Sequence, residues 1–115
     1  MKLRIQGQSV RVRLGEQEAG QLLLGEELAD ATSTPFGAWR RELALGDAAG
    51  LSMPAPGTWR LLLPAAEFRA FAAQRPRRDG LALDFGAAGP ADLHVVVEID
   101  ARESRRHQLA APIAS

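Results

Sequence analysis

The chain contains no cysteine. That excludes disulfides, thiolate nucleophiles and thiolate-ligated zinc together, and it leaves the redox character of the compartment unspecified. Lysine is nearly missing too: Lys2 is the one lysine among 14 basic residues, and the other cations are arginines. Long apolar runs are also absent. The leucine-rich run Leu61 to Leu63 stops at Pro64 and falls far short of a membrane span. The opening residues, Met1 to Gln6, carry charge at alternate positions and lack the apolar stretch of roughly 7–15 residues that a secretory signal needs. A cytoplasmic protein that engages no membrane is the expectation. Neither a Walker loop nor a G-x-G-x-x-G turn follows any strand-like segment, so phosphate cradling by those devices is excluded.

What is present is ordinary for a globular domain. Hydrophobic residues make up 46% and charged residues 24% of 115 positions, enough for one core and too few residues for two independent domains. Fourteen acidic residues cancel the fourteen basic ones. No global field draws the chain to nucleic acid or anionic lipid, so no nucleic-acid partner is expected.

The most informative feature is internal similarity. Shifted by 49 residues, Lys2 to Ala38 lies on Leu51 to Ala87 with a matching apolar pattern and no gap. Seven of the 37 pairs are identical: Arg11 with Arg60, Leu14 with Leu63, Glu18 with Glu67, Asp30 with Asp79, and Phe36-Gly37-Ala38 with Phe85-Gly86-Ala87.

Local patterns give each repeat the same order of elements. Lys2 to Leu14 alternates on both sides of Gly7-Gln8, a two-residue loop that fits a type II′ hairpin turn. That register sets Ile5 against Val10 and Leu3 against Val12 on one face. On the other it sets Arg4 against Arg11 and Lys2 against Arg13, and like charges directly opposite demand an anionic neighbour. Gly15 to Leu24 reads as a short helix ended by Gly25, followed by a strand from Leu28 to Ser33 and another from Trp39 to Leu45. Beyond the seam at Gly46 to Gly50, the order recurs. Leu51 to Met53 is a strand limited by Pro54, Pro56-Gly57 is a turn, and Thr58 to Leu63 carries Trp59, Leu61 and Leu63 inward. Pro64 opens a helix bearing Phe68, Phe71 and Ala72, which match Ala19, Leu22 and Leu23. Leu81 to Phe85 and Leu93 to Asp100 are the closing strands.

The expected fold is therefore α+β: two ββαββ units in tandem, forming a curved, mostly antiparallel sheet able to curl toward a barrel, with both helices on one side. Residues 1–100 form the single domain, with repeats over 2–46 and 51–100. Residues 101–115 match nothing in the repeat and read as a mobile tail.

Candidate chemistry gathers on the polar strand faces. Arg4, Arg11, Arg13 and Arg60 offer guanidinium forks at strand spacing, which suits phosphate or carboxylate. Glu98 and Asp100 lie two apart on the last strand, hence on one face, where paired carboxylates could hold a hard cation such as Mg²⁺. The simpler reading is that Glu98 and Asp100 neutralise Arg11 and Arg13 across neighbouring strands. His94 shares a face with Glu98, and acid–base work with a carboxylate is conceivable there, but no nucleophile accompanies it. Trp39 and Trp59 are inward residues of alternating strands and read as core. Arg75 to Arg78 reads as solvated loop charge.

The opening K-L-R-I-Q-G-Q-S-V-R-V-R-L, the G-T-W-R-L-L-L-P strand and the closing V-V-V-E-I-D resemble a family of small bacterial proteins of unknown function. Its members open with K-[IL]-R-I-x-G-x-S-[ILV]-R-x-R-L and end their folded part near V-E-x-D. They continue with an aromatic residue and an acidic tail, whereas Ala101 and a basic segment follow here. The resemblance spans most of residues 1 to 100 and implies no activity.

Two functions remain. The favoured one is a non-catalytic binding or assembly module, with no catalytic residue and no cofactor, acting as a homo-oligomer or with a protein partner. The other is a phosphate-ligand protein or metal-assisted phosphohydrolase that uses the arginines with Glu98, Asp100 and Mg²⁺.

Overall fold

The strict alternation of the first residues produces an antiparallel ribbon. In the computed structural model β1 (Lys2–Gln6) and β2 (Ser9–Gly15) pair with Leu3 opposite Val12, Ile5 opposite Val10 and Arg4 opposite Arg11, as the loop length requires. Gly7 has φ of +56° while Gln8 keeps a negative φ, the signature of the II′ turn that matches strand twist. The structure describes residues 1–74, 79–86 and 91–100, so the expected tail, the Arg75 to Arg78 cluster and Ala87 of the repeated triplet lie outside it.

Helix α1 (Glu16–Leu23) starts where Gly15 turns out of β2. The Glu18 carboxylate accepts the Gly15 N–H at 3.0 Å and the Met1 amino group at 2.5 Å. An acid in the first turn also faces the positive end of the helix. At the other end Gly25 N–H bonds to Leu22 C=O and Glu26 N–H to Gln21 C=O, the paired bonds that close a helix and free the chain to turn. Then come β3 (Leu28–Thr34), β4 (Gly37–Gly46), β5 (Gly50–Ala55) and β6 (Thr58–Pro64). Helix α2 (Ala65–Ala73), β7 (Leu81–Phe85) and β8 (Leu93–Asp100) complete the α+β order of two ββαββ units. Pro64 caps α2 from just outside rather than occupying its first turn.

The strands divide between two four-stranded mixed sheets, and neither closes into a barrel. One has the order β1-β2-β8-β7, the other β3-β4-β6-β5. Every hairpin is antiparallel, but the centre of each sheet is a parallel pair, β2 with β8 and β4 with β6, one strand from each unit. Each unit therefore gives one hairpin to each sheet. The short link from β4 to β5 keeps the middle four strands together, and the helices carry the chain between sheets. On β5 the register shifts between Ser52 and Ala55, around Pro54, so that edge cannot extend the sheet further.

The doubling is visible in the pairings. Val12, Val97 and Leu81 form a row across one sheet, and Leu61, Leu43 and Leu28 form the corresponding row across the other. The carbonyl of Gln8 accepts His94 N–H at 2.8 Å, and that of Gly57 accepts Arg40 N–H at 2.8 Å. The ungapped 49-residue match does not survive past the helices, because seven residues separate α2 from β7 where four separate α1 from β3. Leu28 is matched by Leu81 and Leu43 by Val97. The Asp30–Asp79 identity and the repeated triplet are consequently not equivalent in space: Phe36 sits in the β3–β4 turn, whereas Phe85 ends β7 opposite Leu93.

One cluster of buried side chains draws on both sheets and both helices. Val12, Val97, Leu43 and Leu63 supply the strand layers, while Leu22 and Phe68 enter from the helices; each is at most 2% exposed. Where α1 has Ala19, α2 has Phe68, so the unequal helices fill one interior without duplicating its bulk. Phe68→Ala is expected to lower unfolding stability by about 3–5 kcal/mol, the cost of an unfilled aromatic site. Urea denaturation checks this, and a loss below about 1 kcal/mol would mean that the ring is not central to the core.

Candidate functional site

Strand alternation separates two surfaces on the same ribbon. Lys2, Arg4 and Gln6 leave β1 on the outer side with Arg13, Arg11 and Ser9 opposite, while Leu3 and Ile5 point the other way. On the outer side, parallel pairing brings His94, Val96 and Glu98 of β8 beside Ser9, Arg11 and Arg13. Asp100 stands one row further, beside Gly15. Five of the six candidate residues therefore share one sheet face: Arg4, Arg11, Arg13, Glu98 and Asp100.

Glu98 is the hinge of this group. Arg11 Nη1 donates to its Oε1 at 2.5 Å, and Arg13 Nη2 lies 3.6 Å from its Oε2. Both carboxylate oxygens thus face guanidinium groups, as cross-strand neutralisation would have them. Arg4 forms no ion pair among the described residues. Among those residues no group of three histidines or carboxylates converges as a metal ion would require.

Arg60, the repeat counterpart of Arg11, lies on β6 in the other sheet and has its own partners. It donates to Glu27 at 2.6 Å and to Glu42 at 3.2 Å, and Arg40 donates to Glu42 at 2.8 Å. The bonds from Glu27, then Glu42, hold the Arg60 guanidinium above its ordinary pKa. Those from Arg40, then Arg60, hold Glu42 below the usual carboxylate range. Stability drawn from Glu42 is present above the unfolded carboxylate pKa and is lost as pH falls through the lowered folded value. Sequence spacing could not reveal these partners, since Glu42 meets Arg60 only through the parallel pairing of β4 with β6.

The second surface is a groove between the sheets, about 330 Å³ in volume, with Leu3 and Ile5 on one wall and Thr32, Trp39, Arg41 and Trp59 on the other. Trp39 and Trp59 meet edge to face with centroids 6.0 Å apart. The Arg41 guanidinium lies 5.7 Å over the Trp39 ring and donates to Asp30 at 2.8 Å and Thr32 at 3.0 Å. The bond from Arg41, with that group's charge and a bond from the Ala31 N–H, holds the Asp30 carboxyl below its ordinary pKa. The tryptophans are rim residues rather than core: Trp39 is 40% exposed and Trp59 half-buried. Alternation points both inward correctly, but Trp39 precedes the first β4–β6 pair, Arg40 with Thr58, so its strand has already left the shelter of its neighbour.

On the groove wall Ile5 is 46% exposed, and on β5 Leu51 is 40% and Met53 65% exposed. At the tip of the β3–β4 hairpin Phe36 is fully exposed. The tip is nevertheless ordered by its own bonds, since Thr34 Oγ1 accepts Phe36 N–H at 3.1 Å and donates to Gly37 C=O at 2.6 Å. No sequence pattern marks this knob, because a Pro-Phe-Gly turn looks the same whether its ring folds back or stands free.

No family model, no curated protein and no solved structure matches the chain.

His94 bonds through Nδ1 to Asp84 on β7, directly opposite in the register. That bond, reinforced by the charges of Asp84 and Asp92, raises the His94 pKa above the ordinary imidazole value. The sign follows: the pair stabilises the fold below the unfolded imidazole pKa, and the contribution is lost as pH rises through the folded value. An NMR titration is expected to show His94 titrating above a model histidine and falling back toward it in Asp84→Asn. A His94 pKa unaffected by that substitution would contradict the assignment.

Proposed function

We propose that this chain is a non-catalytic assembly module whose partner is a second copy of itself. The observation that supports the reading most strongly is Phe36. An ordered hairpin tip presents a fully exposed aromatic ring close in sequence to Trp39, which lines an open groove with Leu3, Ile5 and Trp59. Soluble folds tolerate scattered exposed hydrophobics, but a knob and a hole on one molecule are complementary features.

A twofold arrangement uses both at once. Phe36 of one copy enters the groove of the other, and the exchange is reciprocal, so the interface closes as a dimer instead of growing. The groove volume of about 330 Å³ admits a phenyl ring beside Trp39 and Trp59, where aromatic pairs prefer the edge-to-face geometry already present. Burying each ring contributes about 1.5–3 kcal/mol, the range of a central interface residue. Ile5, on the groove wall, would be covered with it. The second reading, a phosphate-ligand protein, draws on the outer sheet face and not on the groove.

Sedimentation equilibrium from micromolar to near-millimolar concentration tests the proposal. The wild-type chain is expected to dimerise, and Phe36→Ser to weaken the dimer by roughly 30-fold or more. Since Phe36 is fully exposed, the variant is expected to fold with unchanged circular dichroism. A wild type that stays monomeric throughout, or a Phe36→Ser dimer of undiminished affinity, would rule the reading out.

A further inference from the structure

The two sheets provide an internal comparison of charge. On the outer face of the β3–β6 sheet, Arg40 and Arg60 are met by Glu42 and Glu27. On the other sheet the cations are more numerous and the carboxylates stand elsewhere. Arg11 corresponds to Arg60, but Val96 stands where Glu42 would be, and Arg4 stands where the β5 strand has Ser52. Lys2, Arg4, Arg11 and Arg13 share this face with Glu98 and Asp100 and, further along, with the His94–Asp84 pair, so its cations outnumber its carboxylates.

The excess is concentrated. Glu98 serves Arg11 and Arg13, while Arg4, directly opposite Arg11, has no ion pair among the described residues. Two like charges at cross-strand distance destabilise a ribbon unless an anion joins them. Beside them the next outward pair is Gln6 with Ser9, an amide and a hydroxyl. Arg4, Gln6, Ser9 and Arg11 line a depression of about 400 Å³. All four side chains can donate hydrogen bonds, and the depression contains no acidic side chain.

We propose that this depression binds the phosphate group of a small phosphate ester, held between the guanidinium forks of Arg4 and Arg11 with Gln6 and Ser9 donating to the remaining oxygens. A phosphate dianion answers this excess of cations, its oxygens meeting the Arg4 fork and the Arg11 nitrogens that Glu98 does not engage. The site is independent of the assembly groove, because β1 turns Leu3 and Ile5 to the groove and Arg4 and Gln6 away from it.

Calorimetric titration of the full chain with inorganic pyrophosphate tests this, with a parallel sodium chloride arm at equal ionic strength. One equivalent is expected to bind the wild type, with amide shifts in the NMR spectrum centred on Arg4, Gln6, Ser9 and Arg11. Arg4→Gln should weaken binding about tenfold or more, the loss of one charge-assisted contact. Arg4→Lys, which keeps the charge but not the fork, should bind measurably more weakly than the wild type. A merely structural role for Arg4 predicts a less stable unliganded variant; here Arg4→Gln should unfold no earlier than the wild type without pyrophosphate and should lose the thermal shift with it. The proposal is overturned if chloride reproduces the effect, if Arg4→Gln binds as the wild type does, or if the shifts centre on Arg40 and Arg60. Phe36→Ser should leave pyrophosphate affinity unchanged.

Discussion

Two parallel strand pairs, β2 with β8 and β4 with β6, determine everything else in this molecule. Each pair joins strands from different repeats, so neither repeat can complete a sheet alone. Parallel pairing also places these strands at the centre of each sheet, where Val12, Val97, Leu43 and Leu61 turn toward one interior. Parallel strands tolerate exposure poorly and are usually covered. The helices cover them here, with Phe68 and Leu22 filling space between layers whose other faces carry charge.

The same pairings build the outer surfaces. Because β8 runs beside β2, Glu98 reaches Arg11 and Arg13; because β4 runs beside β6, Glu42 reaches Arg60. The duplicated scaffold thus poses one electrostatic problem twice and answers it differently. One sheet gives Arg40 and Arg60 the carboxylates of Glu42 and Glu27, while the other shares Glu98 between Arg11 and Arg13, leaves Arg4 opposite Arg11 and places Val96 beside Arg11. Divergence between equivalent positions separates a structural ion pair from an unfilled demand, a distinction a single sheet could not offer.

Much of the local structure was legible beforehand. Alternation around Gly7 gave the first ribbon with its register, including the opposed arginines, and the Gly25 stop and the Pro64 start marked the helices to within a residue. The expectation of one curved eight-stranded sheet gave way to two separate sheets, because apolar alternation states which face a strand buries but not which strand lies beside it. The repeated Phe-Gly-Ala triplet misled for a related reason. A longer connection after α2 breaks the constant offset, so identical letters fall in a turn and at a strand end. The facing of Glu98 toward the arginines was readable from two-residue periodicity, whereas Glu27 and Glu42 around Arg60 depend on tertiary pairing. Trp39 shows the limit of facing arguments: its direction was right, yet exposure depends on how far the hairpin outruns its neighbour.

The groove and the outer face are the two sides of one ribbon, and that division is what gives a small chain two distinct surfaces. Its reality rests on the exchange of hairpins between repeats. Backbone nuclear Overhauser effects in a uniformly labelled sample report that exchange directly. The account requires contacts between Val12 and Val97 and between Leu43 and Leu61, in parallel register. Contacts from Val12 to β3 or β4 of its own repeat, with none to β8, would contradict it.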